Sequence, residues 1–145
     1  MLVLGLDFGT LSVRAQVVDT QNGSVCATAT ELYEHGVIEG QLPYSNVDLP
    51  PQWALQHPQD WLDSMAVVVR RVTEEVDASL IGGMGIDSTG CTVLPVNSDG
   101  TPIVFSGNRK LEPHAWPKLW KHNSAQAEAN QLTRVALERG EKWIN

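Results

Sequence analysis

The chain has 145 residues, 42% hydrophobic and 19% charged, with five tryptophans, two cysteines and a formal net charge of −7. That length supports one domain, or part of one, whose core removes roughly two thirds of the unfolded surface from water, and the composition excludes a disordered chain. The excess of acid leaves no basic stripe to displace counterions from a nucleic acid or to hold an anionic membrane. Two cysteines make neither a disulfide framework nor a zinc site, so the expected setting is the reducing cytoplasm, with Cys26 and Cys91 as packing residues. The apolar start, residues 1–6, lacks the basic lead of a signal peptide, and no apolar run approaches the ~20 residues of a membrane span.

The first element, within residues 4–14, is an apolar strand that ends on Asp7, turns through Gly9 and Thr10, and re-enters a strand carrying Arg14. In that second strand Leu11, Val13, Ala15 and Val17 share one face while Ser12, Arg14 and Gln16 share the other, so the polar residues point together. Asn22-Gly23 separates two alternating stretches, 13–19 and 24–32, which predicts a hairpin and hence an antiparallel three-strand meander. Residues 34–52, rich in Gly, Pro, Asn and Asp without a period, read as a long excursion of the functional kind.

Pro58 opens a helix in which Trp61, Met65, Val68, Val69, Val72 and Val76 repeat at three- and four-residue steps to about residue 77. A Gly-containing apolar strand follows at 80–87, and the crossover is long enough to add it parallel to the meander. A second hairpin is expected from residues 91–96 and 101–105 around Asn97-Ser98-Asp99-Gly100. Asn123 or Ser124 is the expected cap of a last helix with Ala125, Ala129, Leu132 and Val135 in one stripe and Gly140 as its stop.

A strand-end aspartate followed by glycine, two hydroxyls and an arginine has the chemistry of a polyphosphate grip. Asp7 suits Mg²⁺, Gly9 leaves room for a phosphate, Thr10 and Ser12 offer hydroxyl and N–H donors, and Arg14 neutralises a phosphoryl group. A bare turn between strands explains the same glycine but gives Arg14 no purpose. Asp7-Phe8-Gly9 also occurs in protein kinases, where it follows a catalytic loop of the His-Arg-Asp type, and none precedes it here.

Asp87 ends the fourth strand in the same way, within Ile86-Asp87-Ser88-Thr89-Gly90, where an Asx or Ser/Thr turn is the local explanation. Trp53, Gln56 and His57 precede the helix. Either Trp53 packs on the domain while Gln56 and His57 cap the helix, or indole and amide meet the C–H face and hydroxyls of a sugar. Trp116 and Trp120, four apart, read as a packing stripe. His35 and His114 stand isolated, without partners at ligand spacing.

The D-x-G-T-x-S-x-R turn at 7–14, Trp53-Ala54-Leu55-Gln56-His57-Pro58, Gly85-Ile86-Asp87-Ser88-Thr89-Gly90-Cys91-Thr92 and Lys118-Leu119-Trp120-Lys121-His122 together resemble the sugar-kinase, Hsp70 and actin superfamily. Within it they resemble the opening of the FGGY carbohydrate kinases of the ribulokinase branch, from about residue 2 to the end of the chain. The resemblance implies an α/β fold, the ribonuclease-H-like half-domain of actin-like ATPases, with the meander, crossover helix and parallel strand forming an incomplete domain. Residues 1–145 would be the amino-terminal part of the kinase's N-terminal domain, with no C-terminal domain in this chain.

The same resemblance implies ATP and Mg²⁺ as cofactors, with Asp7 on the metal and Gly9, Thr10, Ser12 and Arg14 on the β and γ phosphates. It implies a sugar pocket bordered by Trp53, Gln56, Ser88, Thr89, Gly90 and Lys121, with Gly90 admitting close backbone approach. His122-Asn123 departs from relatives that carry another His or Asp there, which weakens a ligand role for that pair. The implied reaction is phosphorylation of L-ribulose at O5 in arabinose catabolism. Another pentulose or polyol kinase, or a free-standing sugar- or nucleotide-binding module without activity, are the alternatives. The catalytic base, second phosphate motif and adenosine pocket are expected beyond Asn145, so Asp87 is not assigned as the base. The chain alone is expected to be inactive, and to self-associate through apolar surface on the sheet face opposite the crossover helix.

Overall fold

The computed structural model describes residues 1–144. Its frame is β1 (Leu2–Phe8), β2 (Ser12–Asp19), β3 (Val25–Leu32), α1 (Pro58–Glu74), β4 (Ile81–Ser88) and α2 (Gln126–Glu138), joined in places by single turns of 3-10 helix. The sheet order is β3-β2-β1-β4; β1 and β3 lie antiparallel to β2, and β4 lies parallel to β1. The meander, the crossover helix and the parallel addition are all present. Gly23 closes the β2–β3 turn at φ +74°, with the Asp19 N–H donating to the Ser24 carbonyl at 2.9 Å, a backbone conformation that a Cβ penalises.

Side-chain alternation decides which face packs. Leu4, Leu6, Val13, Ala15, Val17 and Ala27 lie buried in one core with Val68 and Val72 of α1, and each buried Val or Leu contributes about 1.5–3 kcal/mol. The other face carries Gly5, Asp7, Arg14, Gln16, Thr28 and Asp87, which line an open concavity of 520 Å³. This face carries charged and hydrogen-bonding side chains where apolar surface is expected, with exposed Leu32 at its margin. Further uncovered apolar surface lies on the helix side. Met84 and Ile86 register with Leu4 and Leu6, yet each is 61% exposed, because α1 packs over β2 and β3 rather than β4.

α1 ends at Glu74, three residues short of the expected position. Asp77 accepts from the Ser79 N–H at 3.0 Å and so starts a separate 3-10 turn, the local side-chain bond that competes with helix. The excursion is not free loop. Bridges join Ile38 to Leu55 and Gln41 to Asp48, and Ile38, Leu42, Leu49 and Leu55 build a second core with Val104 and Trp116.

The second hairpin does not form as paired strands. Its turn closes, with the Asn97 N–H on the Thr101 carbonyl at 2.8 Å, but Pro95 and Pro102 remove ladder donors and leave one bridge, Val96 to Pro102. Neither Asn123 nor Ser124 caps α2: Ala125 holds that position without a side-chain bond, and the Ser124 hydroxyl lies 2.6 Å from His122 Nε2. Gly140 does stop the helix. At φ +71° its N–H reaches the Leu137 carbonyl while the Glu141 N–H reaches that of Ala136, the paired bonds of a Schellman motif. Only Ala136 of α2 is buried, and Leu132 of the expected stripe is exposed. Cys26 and Cys91 are exposed rather than packed, Cys26 because the pleat places it opposite buried Ala27. Among the described residues no helix is long and apolar enough to cross a membrane.

Candidate functional site

Strand register assembles a row of charge. Asp7 stands opposite Arg14 on β2 and beside Asp87 on β4, and all three occupy the face turned away from α1. Arg14 Nη2 lies 3.0 Å from Asp7 Oδ2, with both side chains about half exposed. Such a pair is worth about 0–1 kcal/mol, so a ligand that offers either partner a better contact displaces it cheaply. Behind the row the Gly9 N–H donates to the Ser12 carbonyl at 2.9 Å. A Cβ on Gly9 would stand 3.3 Å from that carbonyl oxygen and 3.6 Å from Arg14 Nη2. The first distance is tighter than ordinary van der Waals contact and the second is not, so a side chain here would press on the turn's own carbonyl rather than displace Arg14.

The other side of the turn is held by hydrogen bonds from distant residues. Buried Gln56 donates Nε2 to the Thr10 carbonyl at 2.8 Å, the Tyr33 N–H donates to that of Leu11 at 2.9 Å, and Trp120 Nε1 donates to the Thr10 hydroxyl at 2.9 Å. The Thr89 and Thr92 hydroxyls lie 2.7 Å apart, and the Trp120 N–H reaches Thr92 Oγ1 at 3.3 Å. Gly9, Gln56, Trp61, Ser88, Thr89 and Thr92 line a cavity of 330 Å³ between these groups. Phe8 and Leu62 complete the lining, so the Ser88, Thr89 and Thr92 hydroxyls and the Gln56 amide, whose Nε2 is bonded to Thr10, stand among apolar walls.

Not every residue named from the sequence comes to this place. Trp53 and Lys121 line a separate concavity with Glu39 and Gln52, and Lys121 Nζ lies 2.7 Å from Glu39 Oε1. The Trp53 ring already meets His114 at 5.0 Å, His122 at 4.9 Å and Lys118 Nζ at 4.8 Å. Burial pushes the Lys118 amine down to about 8, and burial followed by the Lys118 charge holds His122 below its ordinary value. Gly90 has open space where a Cβ would stand and no positive φ, so no protein group crowds its backbone. Conversely, Trp116 is core, but Trp120 is 55% exposed and bonded to Thr10 in the turn after β1. No periodicity signals that difference, since a period of two puts positions 116 and 120 on one face, yet Trp116 is buried and Trp120 exposed in a segment that bridges through Lys118 to Leu55 and Val93.

His35 is not isolated. Its ring Nδ1 and its backbone N–H each lie 2.8 Å from an oxygen of buried Asp60, and His57 stacks on it at 4.2 Å with planes 12° apart. The ligand atoms of His35, His57 and Asp60 lie within 4.8 Å of one another. Stacked imidazole planes do not both contain a point about 2 Å from each nitrogen, which argues against one ion shared by the two rings. His57 does not cap α1 through its side chain either. Its imidazole is held below its ordinary pKa, first by burial and then by His35.

No protein-family model matches the chain. Among curated proteins it is 46% identical over 143 residues to a ribulokinase of Shouchella clausii and 45% identical over 144 residues to one of Geobacillus thermodenitrificans, which is 97% and 98% of this chain but 26% and 25% of those proteins. The chain thus spans about a quarter of the length of the curated relatives it matches. In fold it is similar to a solved xyloylose kinase from Brucella ovis, with a TM-score of 0.70 at 18% identity over 97% of this chain and 25% of that one.

Proposed function

We propose that this chain, which belongs by sequence to the ribulokinase branch of the carbohydrate kinases, supplies the phosphate grip and one wall of the sugar pocket of an ATP-dependent kinase acting on L-ribulose. On this reading residues 1–145 are the amino-terminal part of the kinase's N-terminal domain, working in the cytoplasm with ATP, Mg²⁺ and the sugar as partners. The observation that carries it is the row Arg14–Asp7–Asp87 beside a glycine turn that a Cβ would crowd.

The residues present fit a metal-bound polyphosphate. Gly9 leaves a cradle that a side chain would fill, Asp7 offers an exposed carboxylate, and Arg14 brings a cation to the same edge. Bound MgATP supplies the phosphoryl group and the metal charge that screens it. The chain's own part is positioning. Asp7 would hold the metal and Arg14 a phosphate oxygen in place of their mutual contact, while the Thr10 and Ser12 hydroxyls would serve as donors at the turn. Gln56, Ser88 and Thr89 hold the sugar on the far side of Gly9, where Trp120 stands over the same turn. Trp53, Gly90 and Lys121 stand outside that cavity, so a sugar contact through them needs a second wall. No residue here is assigned the proton-accepting role.

In the full-length kinase carrying these residues, Asp7→Ala should lower kcat about 100-fold or more while sugar affinity changes only a few fold, because the carboxylate acts on charge that develops in transfer. Steady-state kinetics with a coupled ADP assay, beside equilibrium sugar binding, reads both. An unchanged kcat would reduce the turn to a structural bend and end this reading.

A further inference from the structure

The excursion between β3 and α1 leaves the sheet and returns to it at one spot. Tyr33 donates its N–H to the Leu11 carbonyl where the excursion departs, and Gln56 donates Nε2 to the Thr10 carbonyl where it comes back. His35 follows the first contact by two residues, His57 follows the second by one, and both imidazoles meet at Asp60 in the first turn of α1. Asp60 is 4% exposed and takes His35 twice, the N–H on Oδ2 and ring Nδ1 on Oδ1, each at 2.8 Å. On the outer side the Tyr44 hydroxyl lies 2.6 Å from His35 Nε2, on a backbone at φ +62° that a non-glycine residue keeps only where its surroundings hold it.

His57 is the unsettled member. Its Nδ1 is buried, 3.5 Å from Asp60 Oδ1, and has no hydrogen-bond partner among the described residues. A second proton on this ring makes it cationic, with Nδ1 a donor beside the oxygen that His35 already uses, and the His35 ring stacked 4.2 Å away opposes that charge. The surroundings pull in both directions. Asp60, Glu34 and Asp63 favour the charged ring, while burial and His35 oppose it. Tyr44, Phe105 and Trp116 face the ring, and Lys110 lines the same cavity. The node therefore has one arrangement with His57 neutral and another with it charged.

We infer that Asp60, with His35 and His57, is a proton-sensitive positioning node for the phosphate turn, acting through Tyr33 on Leu11 and through Gln56 on Thr10. A trans peptide points its C=O and N–H in opposite directions. Fixing the Thr10 and Leu11 carbonyls consequently fixes the aim of the Leu11 and Ser12 N–H groups. That this aim serves a phosphate rests on the kinase reading; the coupling from imidazole to turn does not.

The test is nuclear magnetic resonance of the chain without ligand from pH 8 to pH 5, following the ring protons of both histidines and the amides of Gly9, Thr10, Leu11 and Ser12. The Leu11 and Ser12 amides should shift with the same midpoint as the His57 ring, below 6.5, and Asp60→Asn should abolish that shared midpoint. Tyr44→Phe, which removes only an outer hydroxyl, should move it while leaving the fold intact, and so keeps the test decisive if the Asp60 variant does not fold. Turn amides that stay flat through the His57 titration, a His57 ring that does not titrate above pH 5, or a Tyr44→Phe profile identical to the parent's would each overturn the inference. None of these outcomes involves phosphoryl transfer, so the kinase reading stands or falls separately.

Discussion

His57, His122 and Lys118 are all held below their ordinary values by burial, Lys118 to about 8. Each binds its proton less readily folded than unfolded, so each contributes stability that is complete above its unfolded pKa and is lost as pH falls through the folded one. For the two imidazoles that loss begins near 6.5, and for Lys118 it runs from 10.5 down to about 8. Tyr33 has the opposite sign. Its buried hydroxyl is pushed up to about 12, so its contribution is present below 10 and is lost only as pH rises through the higher value. These groups together place the optimum on the alkaline side of neutrality. The urea midpoint should be higher at pH 8 than at pH 5.5, and His57→Gln should remove part of that difference. A midpoint that is flat or rises toward pH 5.5 would show that the imidazoles are not desolvated as the structure has them.

At the scale of elements, α2 separates local from global effects. Gly140 holds φ +71° and closes the helix through its own N–H and that of Glu141, so Gly140→Ala should cost about 1 kcal/mol of α2 stability. Because only Ala136 of α2 is buried, hydrogen exchange at residues 135–139 should speed up while the global urea midpoint hardly moves. A large global shift would mean that α2 is packed more tightly than its exposure shows.

The same helix marks a limit of sequence reading. Periodicity identified an apolar side in Leu132 and Val135, but it reports a side, not what covers it. Strand alternation, Asn22-Gly23 and the three- and four-residue repeat in α1 made the sheet legible because those signals are local. Pro95 and Pro102 gave equally local warning against the second hairpin. Within 53–56 a period of two decides: Trp53 and Leu55 join the second core and Gln56 turns back to Thr10. The meeting of His35 with Asp60, 25 residues apart, has no local signature at all.

For the whole molecule the decisive feature is the outer edge of the sheet. β4 has β1 as its one ladder partner among the described residues, and Met84 and Ile86 project from it uncovered. An open edge with exposed apolar side chains is a template for pairing with another chain. Against this stands a net charge of −7, which repels like copies over a range of about 8 Å at physiological salt. Salt therefore tells the driving forces apart. Pairing through the apolar edge should strengthen as salt screens the repulsion, whereas association through ion pairs such as Asp7 with Arg14 should weaken. Sedimentation at micromolar concentration should show self-association that grows from low to moderate salt. Ile86→Lys should suppress it, and Thr28→Lys, on the polar face, should leave it in place. A monodisperse monomer at every salt concentration would mean that the edge of β4 is protected by its own neighbours, and that the exposed Met84 and Ile86 are insufficient to recruit a second copy.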